Sequence, residues 1–223
     1  RQRQMCIRDR HLQLIVGLSP MEAGFALVPG MLAMIIAGLV VVPIARRVSP
    51  RIVVPVALSF SVVAYLLVPG AVEDGALALL IAAFTLLGIG IGAAETVSND
   101  LILSSAPPEK AGAASAVSET AYEVGAVLGT AILGGILTAA YRAGIVLPAG
   151  VTGAAADAAR ETLAGAMRVA ETLDAATGDA LRLAAAHAFD AGVTTTALIG
   201  AVLVTIAAVI AATTLKGSRT AHV

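Results

Sequence analysis

The run ALALLIAAFTLLGIGIGAAETVSNDLILS, at residues 76–104, decides the fold of this chain. It is longer than the roughly 20 apolar residues that a helix needs to cross about 30 Å of hydrocarbon. Four more apolar runs of membrane-spanning length flank it, at Ala23–Ala45, Ile52–Pro69, Ala113–Tyr141 and Val193–Leu215. All are continuous and rich in Ala, Leu and Gly, without the alternating polarity of a membrane β-strand. The sequence therefore predicts an all-α membrane protein with about five complete transmembrane helices, four of them within residues 18–141.

The composition of the whole chain also indicates a membrane protein. Of its 223 residues, 58% are hydrophobic and 13% are charged, and the mean hydropathy is +0.93. These values lie outside the range of soluble domains, so a lipid bilayer is the expected surrounding and no nucleic-acid partner is expected. The three scattered histidines, and the lack of a P-loop or a nucleophile–base pair in any span, give no basis for a metal site, a cofactor or an enzymatic activity.

The first residues differ in character from the rest of the chain. RQRQMCIRDR, at residues 1–10, is dense in Arg and resembles the translation of a sequencing-library adapter, so we exclude it from fold reasoning. The alternative is a native basic tail. If the exclusion holds, Cys6 is not native and no cysteine remains. HLQLIVG, at residues 11–17, is typical of the end of a helix whose beginning is absent, which predicts that the chain is a fragment.

The distribution of basic residues predicts the orientation in the membrane. Two segments are basic, namely ARRVSPR, with Arg46, Arg47 and Arg51, and the tail at residues 216–223. Short basic loops stay in the cytoplasm, so the C-terminus is expected to be cytoplasmic in the cell membrane. Residues 142–192 are then extracytoplasmic, and their four Arg and six acids give a net charge of −2.

Residues 142–192 contain a helical pattern of their own. Apolar residues recur at helical spacing before a break expected at Gly178 and a second helical stretch at residues 181–187; the first set is Leu163, Met167, Ala170 and Leu173. Amphipathic helices on the membrane surface are the prediction. The segment is either a lid over a transport pathway or a connector, and the connector is favoured because long loops between spans tolerate insertion.

Two glutamates interrupt the apolar run Ala113–Tyr141. A charge at the bilayer centre costs at least about 2.5 kcal/mol, so such residues need a reason. On a helix, four polar residues share a stripe of roughly 80°, namely Ser115, Glu119, Glu123 and Thr130. Ser118, Gly125 and Gly129 lie about 100° round from Glu119, and the two glycines form a small-residue face suited to close helix packing. The glutamates are therefore predicted to face a protein interior or a cavity; the alternative is that they compensate the positive helix N-terminus.

A similar stripe of residues lies in the preceding apolar run, at residues 76–104. Gly88, Gly92, Glu95 and Asn99 fall within roughly 60° of each other. Gly88 and Gly92 are predicted to serve helix packing, whereas Glu95 is a second intramembrane acid or an interfacial carboxylate beside Asp100. A carboxyl group in an apolar cavity can take up a proton from one side and release it to the other, and its ionised form attracts an organic cation.

Three segments carry a family resemblance. They are QLIVGLSPMEAGFALVPGMLAMIIAG at residues 13–38, the ARRVSPR turn, and residues 99–142, whose most specific part is PPEKAGAASAVSETAYEVG. Together they resemble the C-terminal half of a major facilitator superfamily transporter. They are most similar to the fourteen-span branch of drug:proton antiporters, which includes quaternary-ammonium and methyl-viologen efflux pumps.

The resemblance implies a function and roles for individual residues. The spans would be the last five of fourteen, and two six-helix halves would rock about a midplane site, driven by proton influx. Glu119 and Glu123 would bind protons or amphiphilic, cationic substrates, and the arginines of ARRVSPR would belong to a cytoplasmic gating loop. The N-terminal half of the transporter would be the missing partner.

One departure from the family pattern concerns charge in the first span. Some cation pumps of this branch carry an acid within the span that corresponds to Ala23–Ala45, whereas here only Glu22 lies at its outer edge. Dicationic substrates are therefore in doubt, and Glu95 is a candidate for the second acid. The alternative to a transporter is a non-transporting helix module for partner binding or assembly.

Overall fold

The computed structural model describes residues 20–73 and 76–215, and every regular element in these ranges is helical. The predicted adapter at residues 1–10 with Cys6, the helix end at 11–17 and the tail at 216–223 lie outside the described residues. Seven α-helices follow one another: α1 (Pro20–Ala45), α2 (Pro50–Glu73), α3 (Leu77–Ser104), α4 (Ala111–Gly144), α5 (Gly153–Glu161), α6 (Leu163–Ala170) and α7 (Ala175–Thr214). A 3₁₀ turn, Pro108–Lys110, leads into α4.

Five of these helical stretches are long and apolar enough to cross a membrane. They are Gly24–Ala45, Pro50–Glu73, Leu77–Ser104, Pro108–Gly144 and Ala175–Thr214. In the most apolar stretch of each helix, only 11% to 39% of the residues are buried inside the chain. Most of the apolar surface of these helices therefore faces outward. Outward apolar surface is stable in lipid and costly in water. The prediction of an all-α membrane protein with about five spanning helices is confirmed.

The chain forms two compact units, and α4 and α7 contribute to both. The first unit contains the described residues up to Val127 and those from Leu198 onward, and the second is Leu128–Ala197. In the first unit, α3 contacts both α1 and α2, which scarcely contact each other. One core cluster consists of small and β-branched residues, with Val41 from α1, three residues from α2 and three from α3: Val53, Val54, Ala57, Ala93, Ala94 and Val97.

Glycines bring α3 against the backbones of its neighbours. A Cβ at Gly88 would overlap the carbonyl oxygen of Gly30 in α1, and one at Gly92 would overlap that of Met34. On another side of α3, a Cβ at Gly90 would overlap the Ser61 hydroxyl of α2. Helices in lipid associate by close van der Waals contact rather than by the hydrophobic effect, so these glycines hold the first unit together.

The second unit has its own interior, built from short helices beside the ends of α4 and α7. The Tyr141 hydroxyl of α4 donates a buried hydrogen bond of 2.8 Å to the carbonyl oxygen of Ala159 in α5. Ala159 and Leu181 of α7 are fully buried. The segment between α4 and α7 is therefore a packed layer, and its second helix, α6, coincides with the amphipathic spacing that begins at Leu163.

Helix α7 differs from the sequence expectation, because it begins at Ala175 rather than near Val193. The helix continues through Gly178, where a break was expected. A Cβ at Gly178 would lie 2.6 Å from the carbonyl oxygen of Ala170, so this glycine permits a close approach of the preceding helix and does not end α7. Asp174 caps the start: the Thr177 N–H donates to its carboxylate at 3.1 Å, and this hydrogen bond lowers the pKa of the Asp174 carboxyl.

Candidate functional site

The site is built where α3 and the first half of α4 run antiparallel. The Ser118 hydroxyl donates to Asn99 Oδ1 at 3.4 Å, and the Tyr122 hydroxyl donates to the backbone carbonyl of Glu95 at 3.5 Å. Both distances are long for O–H···O hydrogen bonds, so each contact is weak. Asn99 faces Ser118 and Glu95 faces Tyr122, which means that the two contacts are one helical turn apart on both helices.

The predicted acids of α4 lie beside this contact and not within it. Ser118 is buried, whereas Glu119 and Glu123 are exposed within the described chain. Each acid directly follows a residue that contacts α3, and one residue along a helix is a rotation of about 100°. Both carboxylates therefore project past the α3–α4 contact into space that the described residues leave open.

The other predicted polar residues have mixed surroundings. Ser115 of α4 is exposed, as are Glu95 and Asn99 of α3, whereas Thr130 is partly buried. The backbone carbonyl of Glu95 contacts the Tyr122 hydroxyl, so the residue that carries this carboxylate lies next to the phenol. The structure thus brings Glu95 and Asn99 together with α4, through Tyr122 and Ser118. The structure does not describe the side chain of Glu22.

The exposed surface of α4 has two sides of opposite character. Bulky apolar side chains on one side are 69%, 51% and 65% exposed, at Val117, Val124 and Val127. On an ideal helix these valines centre about 120° round from the stripe that contains Glu119 and Glu123. The valine side is suited to lipid. Because ionised carboxylates in lipid are costly, the stripe is suited to a protein interior or a water-filled cavity.

The two predicted glycine packing faces differ in their surroundings. Gly88 and Gly92 lie against the backbone of α1. An ideal Cβ at Gly125 or Gly129 meets no atom within 4 Å among the described residues. On helical geometry these two glycines share a face of roughly 60° with Ser118 and Tyr122. Contact with α3 on this face is therefore made by a serine and a tyrosine, and the glycine part of the face stays open.

The arginines of the ARRVSPR turn lie at one end of the first unit. Arg46 and Arg47 are exposed in the turn after α1, and Arg51 lies in the first turn of α2. Arg51 Nε donates to the carbonyl oxygen of Ala212 at 2.8 Å. Ala212 belongs to the last turn of α7, whose unpaired carbonyls favour a cation. The hydrogen bond places the α1–α2 turn and the end of α7 at the same end of this unit.

The sequence assigned no role to three residues that the structure makes relevant, although it placed Ser118 on the face beside the glutamate stripe. Ser118 and Tyr122 contact α3, and Asp190 is a partly buried acid of α7. Asp190 lies three residues before the apolar run that begins at Val193, and this closeness was the signal available for it. Among residues 20–73 and 76–215, no group of three or more His, Cys, Asp or Glu is arranged to hold a metal ion.

Comparison with known proteins gives the family. The model of the Major Facilitator Superfamily matches residues 10–212. The chain belongs to this superfamily. It is 47% identical over 202 residues to the multidrug efflux pump LfrA of Mycolicibacterium smegmatis, a match that covers 91% of the chain and 40% of LfrA. The family resemblance expected from the quoted segments is thereby confirmed.

Two further relatives are named for resistance. The methyl viologen resistance protein SmvA of Salmonella typhimurium is 34% identical over 182 residues, which cover 81% of this chain and 36% of SmvA. A tetracenomycin C resistance and export protein of Streptomyces glaucescens is 32% identical over 138 residues, which cover 62% of this chain and 25% of that protein. The chain thus spans two fifths or less of the length of these superfamily members.

Proposed function

We propose that this chain forms the C-terminal half of a secondary transporter that exports amphiphilic, cationic drugs in exchange for protons. The observation that carries the proposal is the acidic stripe of α4, which lies away from the apolar valine side in a chain 47% identical to a multidrug efflux pump. Acids at membrane depth serve as proton relays and cation sites. No observation favours the alternative of a non-transporting helix module.

Glu119 and Glu123 bind protons and substrate in turn in this proposal. A protonated carboxyl is neutral and tolerates an apolar cavity, whereas the ionised form attracts an organic cation. Glu95 supplies a third carboxylate from α3, and Ser115, Thr130 and Asn99 line the cavity. The facing half of the transporter supplies the opposite wall, and rocking of the two halves exposes the site to each side of the membrane in turn.

The orientation proposed for the membrane follows from the arginines. Arg51 links the α1–α2 turn to the end of α7, so the basic turn and the end of the last helix share one side of the first unit. Short basic segments stay in the cytoplasm, which puts this side in the cytoplasm of the cell. Arg46, Arg47 and Arg51 then belong to a cytoplasmic gating turn. The layer that contains α5 and α6 is extracytoplasmic.

Proton-coupled transport by acid variants tests this proposal. The complete transporter is measured in inside-out vesicles by the uptake of a fluorescent organic cation that an imposed proton gradient drives. Glu119→Gln and Glu123→Gln remove the charge and keep the size, and each is expected to lower coupled uptake by roughly tenfold or more, the effect of losing about 1.4 kcal/mol of interaction. Glu109→Gln, in the exposed turn before α4, is the matched control and should transport normally.

Normal insertion of each variant is checked by the amount of protein in the vesicles. Wild-type rates in both glutamine variants would contradict the role given to these acids and would move the coupling site to other residues. Absence of cation transport by the wild-type protein would contradict the proposed function itself.

A further inference from the structure

The aromatic residues of this chain are few, and most are occupied by packing. It has four Phe, three Tyr and no Trp: Phe25, Phe60, Tyr65, Phe84, Tyr122, Tyr141 and Phe189. Tyr141 and Phe189 are buried, and Tyr65 lies against Gly200, where a Cβ would be 3.1 Å from the ring. Three aromatic side chains are exposed, and of these Tyr122 alone lies on the helix that carries Glu119 and Glu123.

Tyr122 combines a contact with α3 and an accessible ring. Its hydroxyl reaches across to the Glu95 carbonyl of α3, while 38% of the residue remains exposed. Gly125 follows it by three residues, and apart from the adjacent backbone of α4 no described atom lies within 4 Å of a Cβ built there. The phenol ring therefore lies at the α3–α4 contact beside open space.

Three acidic residues lie close to this ring in sequence or in space. Glu123 is its neighbour in sequence, Glu119 lies one turn earlier, and Glu95 of α3 meets the phenol through its backbone carbonyl. An aromatic face attracts an organic cation through its quadrupole, most strongly when the cation is poorly hydrated. A carboxylate attracts any cation, whereas a carboxylate beside a ring favours one with a large apolar surface.

We infer that Tyr122 is a substrate-contacting residue whose ring selects organic cations over neutral amphiphiles of similar size. The inference rests on the proposed function and assigns a specificity role within the same site. Helix α4 carries the ring beside α3, and the face of the ring meets the cation. The contact needs the aromatic ring and not the hydroxyl group, which separates it from a purely structural role in joining α3 to α4.

Transport by the complete protein tests the inference, with KM and maximal rate measured separately in inside-out vesicles. The probes are ethidium as the cation and a neutral fluorescent amphiphile. Tyr122→Leu is expected to raise the KM for ethidium about three- to fivefold, the value of one cation–π contact at a partly exposed site, with little change for the neutral probe. Tyr122→Phe keeps the ring and should stay within about twofold of wild type. Phe60→Leu, an exposed aromatic of α2, is the control and should change neither KM.

A graded series keeps the size of the residue constant and protects the test from misfolding. Phenylalanines with one, two and three ring fluorines at position 122 weaken the negative ring face step by step. The KM for ethidium should rise along the series while the KM for the neutral probe stays level. Equal losses in Tyr122→Phe and Tyr122→Leu, or a flat fluorine series in a transporter that pumps ethidium, would overturn the inference alone. Failure of wild-type protein to transport ethidium would overturn it together with the proposed function.

Discussion

Two glycine pairs with the same spacing have opposite surroundings in this protein. Gly88 and Gly92 of α3 touch the backbone of α1, whereas Gly125 and Gly129 of α4 have no neighbour within 4 Å of a Cβ in the described residues. The first pair lies in the interior of the first unit, and the second lies beside the acidic stripe of α4. The same spacing of glycines therefore gives close packing in α3 and an open face in α4. The difference lies in whether a neighbouring helix packs against the glycines.

The difference separates the part that holds the fold from the part that carries the proposed chemistry. Helix α3 is closed on two sides by Gly30 and Met34 of α1 and by Ser61 of α2, so it has no room for a ligand there. Helix α4 presents acids and small residues to open space. Substitutions that add a methyl group or remove a hydroxyl measure how far this separation holds.

The largest effect is expected from adding a methyl group to the packed glycine. Gly92→Ala places a Cβ against the backbone of Met34, which cannot rotate away, and should lower the free energy of unfolding by about 2–3 kcal/mol. Gly125→Ala is the matched control in open space, and it should be neutral or stabilise by up to about 1 kcal/mol, because alanine favours the helix. Unfolding of the purified protein by SDS in mixed micelles, followed by circular dichroism, gives both values. Equal losses would mean that α4 is packed as closely as α3.

An intermediate effect is expected at the contact between α3 and α4. Ser118→Ala removes the hydroxyl that donates to Asn99 at 3.4 Å from a buried position, and should cost about 1 kcal/mol in the same unfolding measurement. Ser115→Ala changes an exposed hydroxyl on the same helix and should stay within about 0.5 kcal/mol of wild type. A Ser118→Ala variant as stable as Ser115→Ala would show that this hydrogen bond contributes nothing to stability.

The smallest effect is expected where a glycine of the packed region faces a side chain. A Cβ at Gly38 of α1 would lie 3.1 Å from Thr96 Oγ1 in α3, and that hydroxyl itself donates to Gly92 O at 2.7 Å. A small shift of Thr96 can relieve the overlap, so Gly38→Ala should cost less than about 1 kcal/mol. A loss as large as that of Gly92→Ala would mean that side-chain and backbone contacts are equally rigid at this interface.

Some site features followed from the sequence because they depend on one helix at a time. The stripe that holds Ser115, Glu119 and Glu123 needs only the helical period, and the cost of charge in lipid marks it as functional. The contacts of Ser118 and Tyr122 did not follow, because they depend on the register between α3 and α4. If one helix shifts along the other by one turn, different side chains come into contact. The amino-acid composition does not determine this register.

The last helix shows the same limit at a boundary. Hydropathy predicted a span from Val193, but α7 begins at Ala175, where Asp174 caps its first turn. Residues 175–192 are mixed in polarity, so their helical state is set by burial against α4 and the short helices, as at Leu181. In the sequence, Gly178 indicated a helix break. In the structure this glycine lies inside α7 and allows the close approach of Ala170, a contact that the linear sequence does not show.

The sequence by itself determined the solvent, the helical class and five spanning helices, because transfer of apolar residues into lipid adds up along a single helix. It also determined the family, since PPEKAGAASAVSETAYEVG is specific enough to resemble one group of transporters. Only the tertiary structure decided which glycine pair packs, that Tyr122 reaches α3 and that Arg51 caps α7. The reason is physical: these contacts are short-range and join residues far apart in the chain, so they exist only when the helices adopt one particular register.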